Sequence, residues 1–227
     1  MKEIKLVVFD MAGTTVNEDN VVYKTVREAL QRAGVTVSLE KVLEIGAGKE
    51  KYRAIVDVLA AVENTQADAQ AIFEDFQGLL KKAYDTLEVT AYEGVEELFR
   101  RLRSQGVKVV LNTGYDQKTA QGLLDKLGWA PPNQIDALIT ADDVETSRPS
   151  PEMIHKAMEL FQIQDPASVL KAGDSAIDIE EGRNAHCGMT VGVLTGAQNR
   201  EQLESAQPTL ILDSLQELGD ILFPKKE

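Results

Sequence analysis

Three predicted strands end in polar side chains that could bind a metal ion or attack an electrophile. They are Asp10 after the apolar run 4–9, Thr113 just beyond the run 108–111, and Asp174 just beyond the run 169–172. Asp178 lies four residues after Asp174, in the first turn of a predicted helix, which puts both carboxylates on one side of the loop. Because parallel strands release the chain at one edge of a sheet, these groups are expected to converge there.

Converging carboxylates repel one another, and a divalent cation relieves that repulsion. Mg²⁺ prefers a few carboxylates together with waters and a phosphate oxygen, so the pattern predicts a magnesium site. Arg148, just before Pro149, would add fixed positive charge at the same place. Taken singly, each residue has a simpler interpretation: Asp10 as a turn former, Asp178 as a charge that favours a helix N-terminus, and Arg148 as a solvated loop residue.

The elements that position these groups follow from the spacing of apolar residues. Beyond residue 94, strands and helices alternate, which predicts an α/β fold: a doubly wound, Rossmann-like parallel sheet with helices on both faces. The predicted strands are 4–9, 108–111, 137–140, 169–172, 189–193 and 210–212. The predicted helices are 94–105, 116–127, 150–161, 177–185, 199–205 and 215–222.

Residues 15–90 carry a different pattern. Apolar residues recur at helical spacing over about 22–33, 50–61 and 68–86, and no strand pattern interrupts them. We therefore predict a catalytic core made of residues 1–14 and 91–227, with a helical cap domain, residues 15–90, inserted after the first strand. The tail 225–227 is expected to fray.

Composition limits the classes of partner. The formal charge of -13 argues against nucleic acid and anionic membranes, but not against a small anionic substrate, because a metal ion can invert the field inside one cleft. The single cysteine, Cys187, suits a reducing cytosol, and no apolar run has the length of a signal peptide or a membrane helix. We expect a cytoplasmic protein, monomeric or homodimeric, that acts on a small molecule.

The motifs together resemble the haloacid dehalogenase superfamily of phosphotransferases, over nearly the whole chain. The four motifs stand in the family's order: Asp10 to Thr15, Thr113 in Leu-Asn-Thr-Gly-Tyr, Arg148 before Pro149, and Gly173-Asp174 through Asp178. The resemblance implies a hydrolase whose helical insertion is a mobile cap. It also implies a small phosphorylated or phosphonate substrate and Mg²⁺ as the cofactor.

The same resemblance implies a role for each motif residue. Asp10 would be the nucleophile that forms an aspartyl-phosphate. Asp174 and the backbone carbonyl of Ala12 would hold Mg²⁺ together with Asp10, and Asp178 would support these ligands. The phosphoryl oxygens would be bound by Thr113 and Arg148.

Two departures narrow the resemblance to the phosphonatase branch of the superfamily. Phosphatases of the family carry a second Asp two residues after the nucleophile, where this chain has Ala12. That Asp protonates the leaving alkoxide, and a positioned general acid is typically worth ~100- to 10,000-fold in rate. Arg148 stands where most relatives use lysine. Tyr115 also fits the phosphonatase branch, and with Gly114 it is expected to bind substrate.

Phosphonatases replace the missing acid with a cap lysine that forms a Schiff base with an aldehyde substrate. Lys49 matches the position of that lysine, and a place at the start of the second cap helix should lower its pKa. Lys51 is the nearest rival, and Gly46 is expected to contact the substrate. Ile45 and Tyr52 depart from the branch pattern, which has methionine and histidine there.

Three hypotheses follow. The first is a Mg²⁺-dependent phosphonatase that cleaves the C–P bond of a small, phosphonoacetaldehyde-like phosphonate. The second is a small-molecule phosphatase, of the sugar phosphate or phosphoglycolate type, in which another group or water serves as the acid. The third is a non-catalytic protein that binds phosphate or a metal, which the retained Asp10, Thr113, Arg148 and Asp174 disfavour.

Overall fold

A computed structural model of the chain describes residues 3–63 and 66–224, so the tail 225–227 lies outside the described residues. The strands are β1 (Leu6–Asp10), β2 (Val16–Asn17), β3 (Thr90–Ala91), β4 (Lys108–Asn112), β5 (Ala137–Ile139), β6 (Val169–Gly173), β7 (Met189–Val193) and β8 (Leu210–Leu212). The helices are α1 (Val21–Arg32), α2 (Leu39–Gly46), α3 (Lys51–Ala61), α4 (Ala69–Thr86), α5 (Val95–Ser104), α6 (Gln117–Leu127), α7 (Glu152–Leu160), α8 (Ala176–Asn184), α9 (Arg200–Ser205) and α10 (Leu218–Leu222). Among the described residues, no helix has both the length and the apolar character needed to cross a bilayer.

In the described part of the chain, six strands form one parallel sheet in the order β5-β4-β1-β6-β7-β8. β1 lies in the middle and pairs with β4 on one side and β6 on the other. The strand order changes direction at β1 and β6, and such a switch point leaves a crevice at the carboxyl ends of the strands. The predicted α/β fold is confirmed, and the core elements match the predicted spans closely.

Alternate side chains of β1 pack into two apolar layers, one on each face of the sheet. Phe9 belongs to one layer and lies with its ring centroid 5.4 Å from that of Phe99 on α5. Val8 belongs to the other layer, together with Met153 on α7. Each such buried side chain contributes about 1.5–3 kcal/mol relative to exposure. β1 is therefore held on both faces, which fixes the position of Asp10 at its end.

Within residues 15–63 and 66–90, four helices pack mainly on one another. α1 contacts α2, α3 and α4, and α3 also contacts α2 and α4. The prediction that this segment is helical throughout, with three helices, is wrong in two respects. It missed α2, and it missed the antiparallel pair formed by β2 and β3, in which Val16 lies opposite Ala91. Two-residue strands are too short to leave a periodic pattern. The division into core and cap domains stays a prediction.

Candidate active site

Three carboxyl groups meet at the carboxyl end of the sheet, as the strand-end rule predicted. Asp10 is the last residue of β1, and Asp174 follows β6 directly. Asp178 lies in the first turn of α8. Each of the three offers a carboxylate oxygen, and these oxygens lie within 4.8 Å of one another. All three residues are buried, so their mutual repulsion is not screened by solvent.

Arg148 is buried in the middle of this cluster, and each of its guanidinium nitrogens already has a protein partner. Nη1 lies 2.6 Å from Asp10 Oδ1 and 2.9 Å from Asp178 Oδ1. Nη2 donates to the backbone oxygen of Asn112 at 2.8 Å and to its side-chain oxygen at 2.7 Å, and Nε lies 3.1 Å from Glu181 Oε2. Arg148 thus binds Asp10, the predicted nucleophile. For the predicted contact with a phosphoryl oxygen, Nη1 would have to give up one of its two carboxylate partners or contact the phosphoryl oxygen as well.

Lys171 and Glu181 complete the network, and the sequence analysis missed both. Lys171, in β6, is fully buried, and its Nζ lies 2.7 Å from Asn112 Oδ1, 3.0 Å from Asp178 Oδ1 and 3.1 Å from Glu181 Oε2. Glu181 accepts from the Asn112 side-chain amide at 2.8 Å. A signal was present in the sequence. Lysine interrupts the apolar strand at 169–172, and Glu181 stands three residues after Asp178 on the same helix face.

The charges of this network do not balance. Among the described residues it contains four acids and two cations, namely Asp10, Asp174, Asp178 and Glu181 with Arg148 and Lys171. Burial raises the pKa of Asp10, and burial together with Asp10 and Asp178 raises the pKa of Asp174 well above its usual range. Burial also acts against ionisation of Asp178, but Arg148 and Lys171 outweigh it and lower its pKa.

A divalent cation would match both the excess negative charge of this network and the type of ligand that it offers. Two positive charges would neutralise the network, and carboxylate oxygens are the ligands that Mg²⁺ prefers. Asp10 and Asp174 are the acids best placed to hold it, because Asp178 Oδ1 already contacts two cations and Oδ2 accepts from Ser175 Oγ. The predicted contribution of the Ala12 carbonyl stays a prediction.

Two glycines allow the backbone to crowd the Asp174 carboxylate. A Cβ at Gly13 would lie 2.3 Å from Asp174 Oδ2, and one at Gly196 would lie 1.9 Å from the same oxygen. Gly13 also has φ +85°, a conformation that glycine adopts without strain. The Ala197 amide donates to this oxygen as well. The Asp174 carboxylate is therefore confined to one position.

The segment Thr113-Gly114-Tyr115 lies between this cluster and the loop that carries Gly48 and Lys49. Thr113 is buried just beyond β4, and its Oγ1 accepts from the Tyr115 amide at 3.2 Å. A Cβ at Gly114 would lie 3.0 Å from the carbonyl oxygens of both Gly48 and Lys49, so glycine allows this loop to approach closely. The ring of Tyr115 is buried at this junction. The three predicted residues thus lie between the sheet edge at Asp10 and the loop that carries Gly48 and Lys49.

The two candidate lysines point to different places. Lys49 Nζ pairs with Asp57 Oδ2 at 2.7 Å, and its side chain is 28% exposed. Lys51 is buried, with Nζ 5.2 Å from the ring centroid of Tyr23 and 5.0 Å from that of Tyr115, and it donates to the Lys49 carbonyl. Burial lowers the pKa of Lys51 to about 8. The geometry therefore favours Lys51, the rival in the sequence analysis, over Lys49.

Gly46, predicted to bind substrate, contacts a neighbouring helix and not the segment 113–115. It ends α2 and packs on α3, where its Cβ would lie 3.2 Å from that of Ala54. Gly48 makes the close approach instead. Its φ is +73°, and a Cβ there would lie 2.2 Å from Ile177 Cγ2 of the core. Tyr52, at the position of the branch histidine, is 40% exposed and stacks edge-on against Phe73.

A cavity of about 840 Å³ opens beside these residues. α4 and α6 form its long walls, and Lys51, Gly114 and Tyr115 also line it. Such a volume accommodates a small-molecule ligand. Lys51 thus lines a space that can hold a small molecule, next to the segment that carries Thr113.

Comparison with known proteins agrees with this geometry. The model of a hydrolase family, haloacid dehalogenase-like hydrolase, matches residues 4–186. The chain is 30% identical to a phosphonoacetaldehyde hydrolase of Bacillus cytotoxicus, over 97% of this chain and 87% of that protein. A phosphonoacetaldehyde hydrolase-like protein from Oleispira antarctica superimposes with a TM-score of 0.83 at 22% identity, covering 96% of this chain and 91% of the other. A predicted phosphoglycolate phosphatase from Haemophilus somnus gives 0.80 at 21% identity, covering 97% and 99%. The two structures show the shared fold.

Proposed function

Because the chain belongs to the haloacid dehalogenase-like hydrolases, we propose that it cleaves the carbon–phosphorus bond of a small phosphonate aldehyde of the phosphonoacetaldehyde type. The observation that carries the proposal is the buried Lys51, which lies beside the segment 113–115 and has a lowered pKa. The relatives named phosphonoacetaldehyde hydrolase support the same substrate class. We propose the cytoplasm as the setting, in keeping with the single thiol of Cys187.

The absence of an acid at residue 12 supports this reaction over ester hydrolysis. An alkoxide leaving group needs a proton as it departs, and Ala12 cannot supply one. A carbon leaving group that is conjugated to an iminium ion needs no proton at that moment, because the electron pair of the broken bond passes to nitrogen. A lysine whose pKa is lowered to about 8 is suited to form that iminium, because the neutral amine is the nucleophilic form.

The proposed reaction proceeds through Lys51 and Asp10. The Lys51 amine attacks the aldehyde carbon, and loss of water gives the iminium. The Asp10 carboxylate then attacks phosphorus, the C–P bond breaks, and its electron pair forms an enamine on Lys51. Water hydrolyses the resulting aspartyl-phosphate, while protonation and hydrolysis of the enamine release the aldehyde. Mg²⁺ held by Asp10 and Asp174 would neutralise charge on the phosphono oxygens.

Arg148 and Thr113 have supporting roles in this proposal. Arg148 fixes one oxygen of Asp10 through the 2.6 Å contact of Nη1, which leaves the other carboxylate oxygen as the attacking atom. Thr113 is buried just beyond β4, and its hydroxyl is expected to donate to the phosphono group, since Oγ1 accepts from Tyr115 and its proton is available.

The test is phosphate release, with Mg²⁺, from phosphonoacetaldehyde and from a panel of phosphate esters. The wild type should prefer the phosphonate, and Lys51→Arg should abolish its cleavage, because guanidinium stays protonated and forms no imine. Lys49→Arg is the matched control and should retain most activity, because it can keep the ion pair with Asp57. A preference for esters that survives Lys51→Arg would instead assign the chain as a phosphatase.

A further inference from the structure

The cavity between α4 and α6 is larger than the proposed substrate. Its volume is about 840 Å³, within the range of about 300–1,000 Å³ that holds drug-sized ligands. Phosphonoacetaldehyde has only two carbon atoms, and its phosphono group would lie at Asp10 and Thr113, which do not line the cavity. This molecule is therefore too small to fill the cavity.

Apolar side chains face the cavity from both walls. Phe73, Phe76 and Leu80 on α4 follow one another at intervals of three and four residues, so they share one side of that helix. Leu123 lines the cavity from α6. An apolar group of a ligand would therefore find apolar partners on two sides.

Most other charged residues of the lining already bind elsewhere or lie in solvent. The side chains of Glu50 and Asp116 cap α3 and α6. Asp142 and Lys126 bind backbone groups. The remaining three are exposed, namely Lys81, Asp85 and Lys118. Apart from Lys51, the apolar side chains are thus the part of the lining best suited to hold a ligand.

Two glycines keep the walls of the cavity open. Gly78 on α4 and Gly122 on α6 both line it. A Cβ at either position would meet no atom within 4 Å, and neither residue has the positive φ that favours glycine. Glycine in a helix interior weakens the helix relative to alanine. Neither packing nor backbone conformation therefore explains these glycines, whereas space for a ligand does.

Two tyrosine hydroxyls in the lining point to a ligand independently. The hydroxyl oxygens of Tyr84 and Tyr115 are buried near one another, and within the described part of the chain neither makes a hydrogen bond of normal geometry. Tyr115 is only 4% exposed, and the Lys51 amine lies 5.0 Å from its ring centroid. Buried polar groups normally have a partner, and an oxygen of a ligand bound next to Lys51 would supply one.

We propose that the substrate carries an apolar organic group of several carbon atoms, which binds between α4 and α6. The inference rests on the proposed function, which assigns the phosphono group to Asp10 and the aldehyde carbon to Lys51. Because Lys51 and Tyr115 line the cavity, a substituent on the carbon between phosphorus and the aldehyde can extend into it. The substrate class is then a 2-phosphono aldehyde longer than phosphonoacetaldehyde, and Gly78 and Gly122 determine the size of the group that is accepted.

The first test measures the binding of alkylphosphonates, which carry no aldehyde. Isothermal titration calorimetry on the full-length protein with Mg²⁺ compares methylphosphonate with pentylphosphonate. Each buried methylene is typically worth about fourfold in affinity, so pentylphosphonate should bind at least about tenfold more tightly. Equal affinities would overturn the inference.

Variants at the walls show whether the alkyl chain lies in this cavity. Gly122→Leu fills the cavity from α6 and should reduce the preference for pentylphosphonate to less than about twofold. Lys82→Leu is the matched control, because Lys82 lies on α4 outside the lining, and it should keep the wild-type preference. An undiminished preference in Gly122→Leu would overturn the inference, since the chain would then bind elsewhere.

The stability of Gly122→Ala tests whether the fold itself requires glycine there. Alanine is the better helix former, so this variant should unfold at a higher urea concentration than the wild type. Unfolding at a lower urea concentration would overturn the role given to Gly122.

Phosphate release separates this inference from the proposed function. In the wild type, kcat/KM should be at least about tenfold higher for 2-phosphonohexanal, which adds a butyl group, than for phosphonoacetaldehyde. An equal or higher kcat/KM for phosphonoacetaldehyde would overturn the inference and leave the proposed function standing. Release from neither aldehyde, together with the expected preference for pentylphosphonate, would refute the proposed function alone.

Discussion

Replacing Lys171 with methionine tests the buried charge network directly. Methionine fills a similar volume but carries no charge, so Lys171→Met removes three contacts of 2.7–3.1 Å and leaves their acceptors in place. The acceptors are Asn112, Asp178 and Glu181. The net charge of the network, four acids against two cations, becomes more negative by one.

The expected loss of stability in Lys171→Met follows from the burial of every partner of Lys171. Removing one member of a buried ion pair typically costs about 3–5 kcal/mol, because the remaining charge is left without compensation. Lys171, Asp178 and Glu181 have no exposed side-chain surface, so this range applies without a discount for solvent. Total stabilities of domains are about 5–15 kcal/mol, so the variant should lose a large part of its free energy of unfolding.

Urea unfolding monitored by circular dichroism gives the measurement, with Lys41→Met as the matched control. Lys41 pairs with Glu44 on the surface, where side chains are 42% and 50% exposed, and its loss should cost under about 1 kcal/mol. Adding Glu181→Gln to Lys171→Met should recover part of the loss, since it removes one uncompensated charge. If Lys171→Met costs no more than Lys41→Met, the network does not have the energetic role assigned to it.

Three further predictions follow from the same site. Asp10→Asn should abolish turnover while the protein stays folded, and retention of most activity on the best substrate would exclude a covalent mechanism at Asp10. Gly48→Ala should lower kcat/KM at least about tenfold through its clash with Ile177, whereas Gly34→Ala, with φ +81° and no atom within 4 Å, introduces similar backbone strain and should leave activity unchanged. Glu18, between β2 and α1, is buried, and burial raises its pKa from 4.5 in the unfolded chain to about 8. The wild type should therefore lose stability as pH rises through this range. In urea unfolding, the free energy of unfolding of Glu18→Gln should depend less on pH over that range, and the same pH dependence as in the wild type would contradict the raised pKa of Glu18.

The core and the strand-end acids could be predicted because both depend on local pattern. The spacing of apolar residues predicted the alternation of strands and helices. A parallel sheet built from those strands places Asp10 and Asp174 at one edge. Lys171 could not be placed in the same way. Its partners lie on β4 and α8, so its role depends on strand register and on how α8 packs over β6.

The choice between Lys49 and Lys51 shows a different limit. Residues two apart in a helix point about 200° apart, so a shift of the helix start decides which lysine faces the interior. Glu50 caps α3 by accepting from the amides of Tyr52 and Arg53, which makes Lys51 the first helical residue. That boundary is set by one capping side chain and by packing on Tyr23 and Tyr115, which the sequence pattern does not reveal.

Borohydride reduction during turnover of phosphonoacetaldehyde tests whether Lys51 forms a Schiff base with the substrate. The C–P cleavage step leaves the two-carbon product attached to the lysine, so reduction should convert Lys51 to ethyl-lysine and stop phosphate release, as peptide mass spectrometry and a phosphate assay would record. We expect ethyl-lysine at Lys51 in the wild type and none in Lys51→Arg. Modification at Lys49 instead, or continued phosphate release with neither lysine modified, would contradict it.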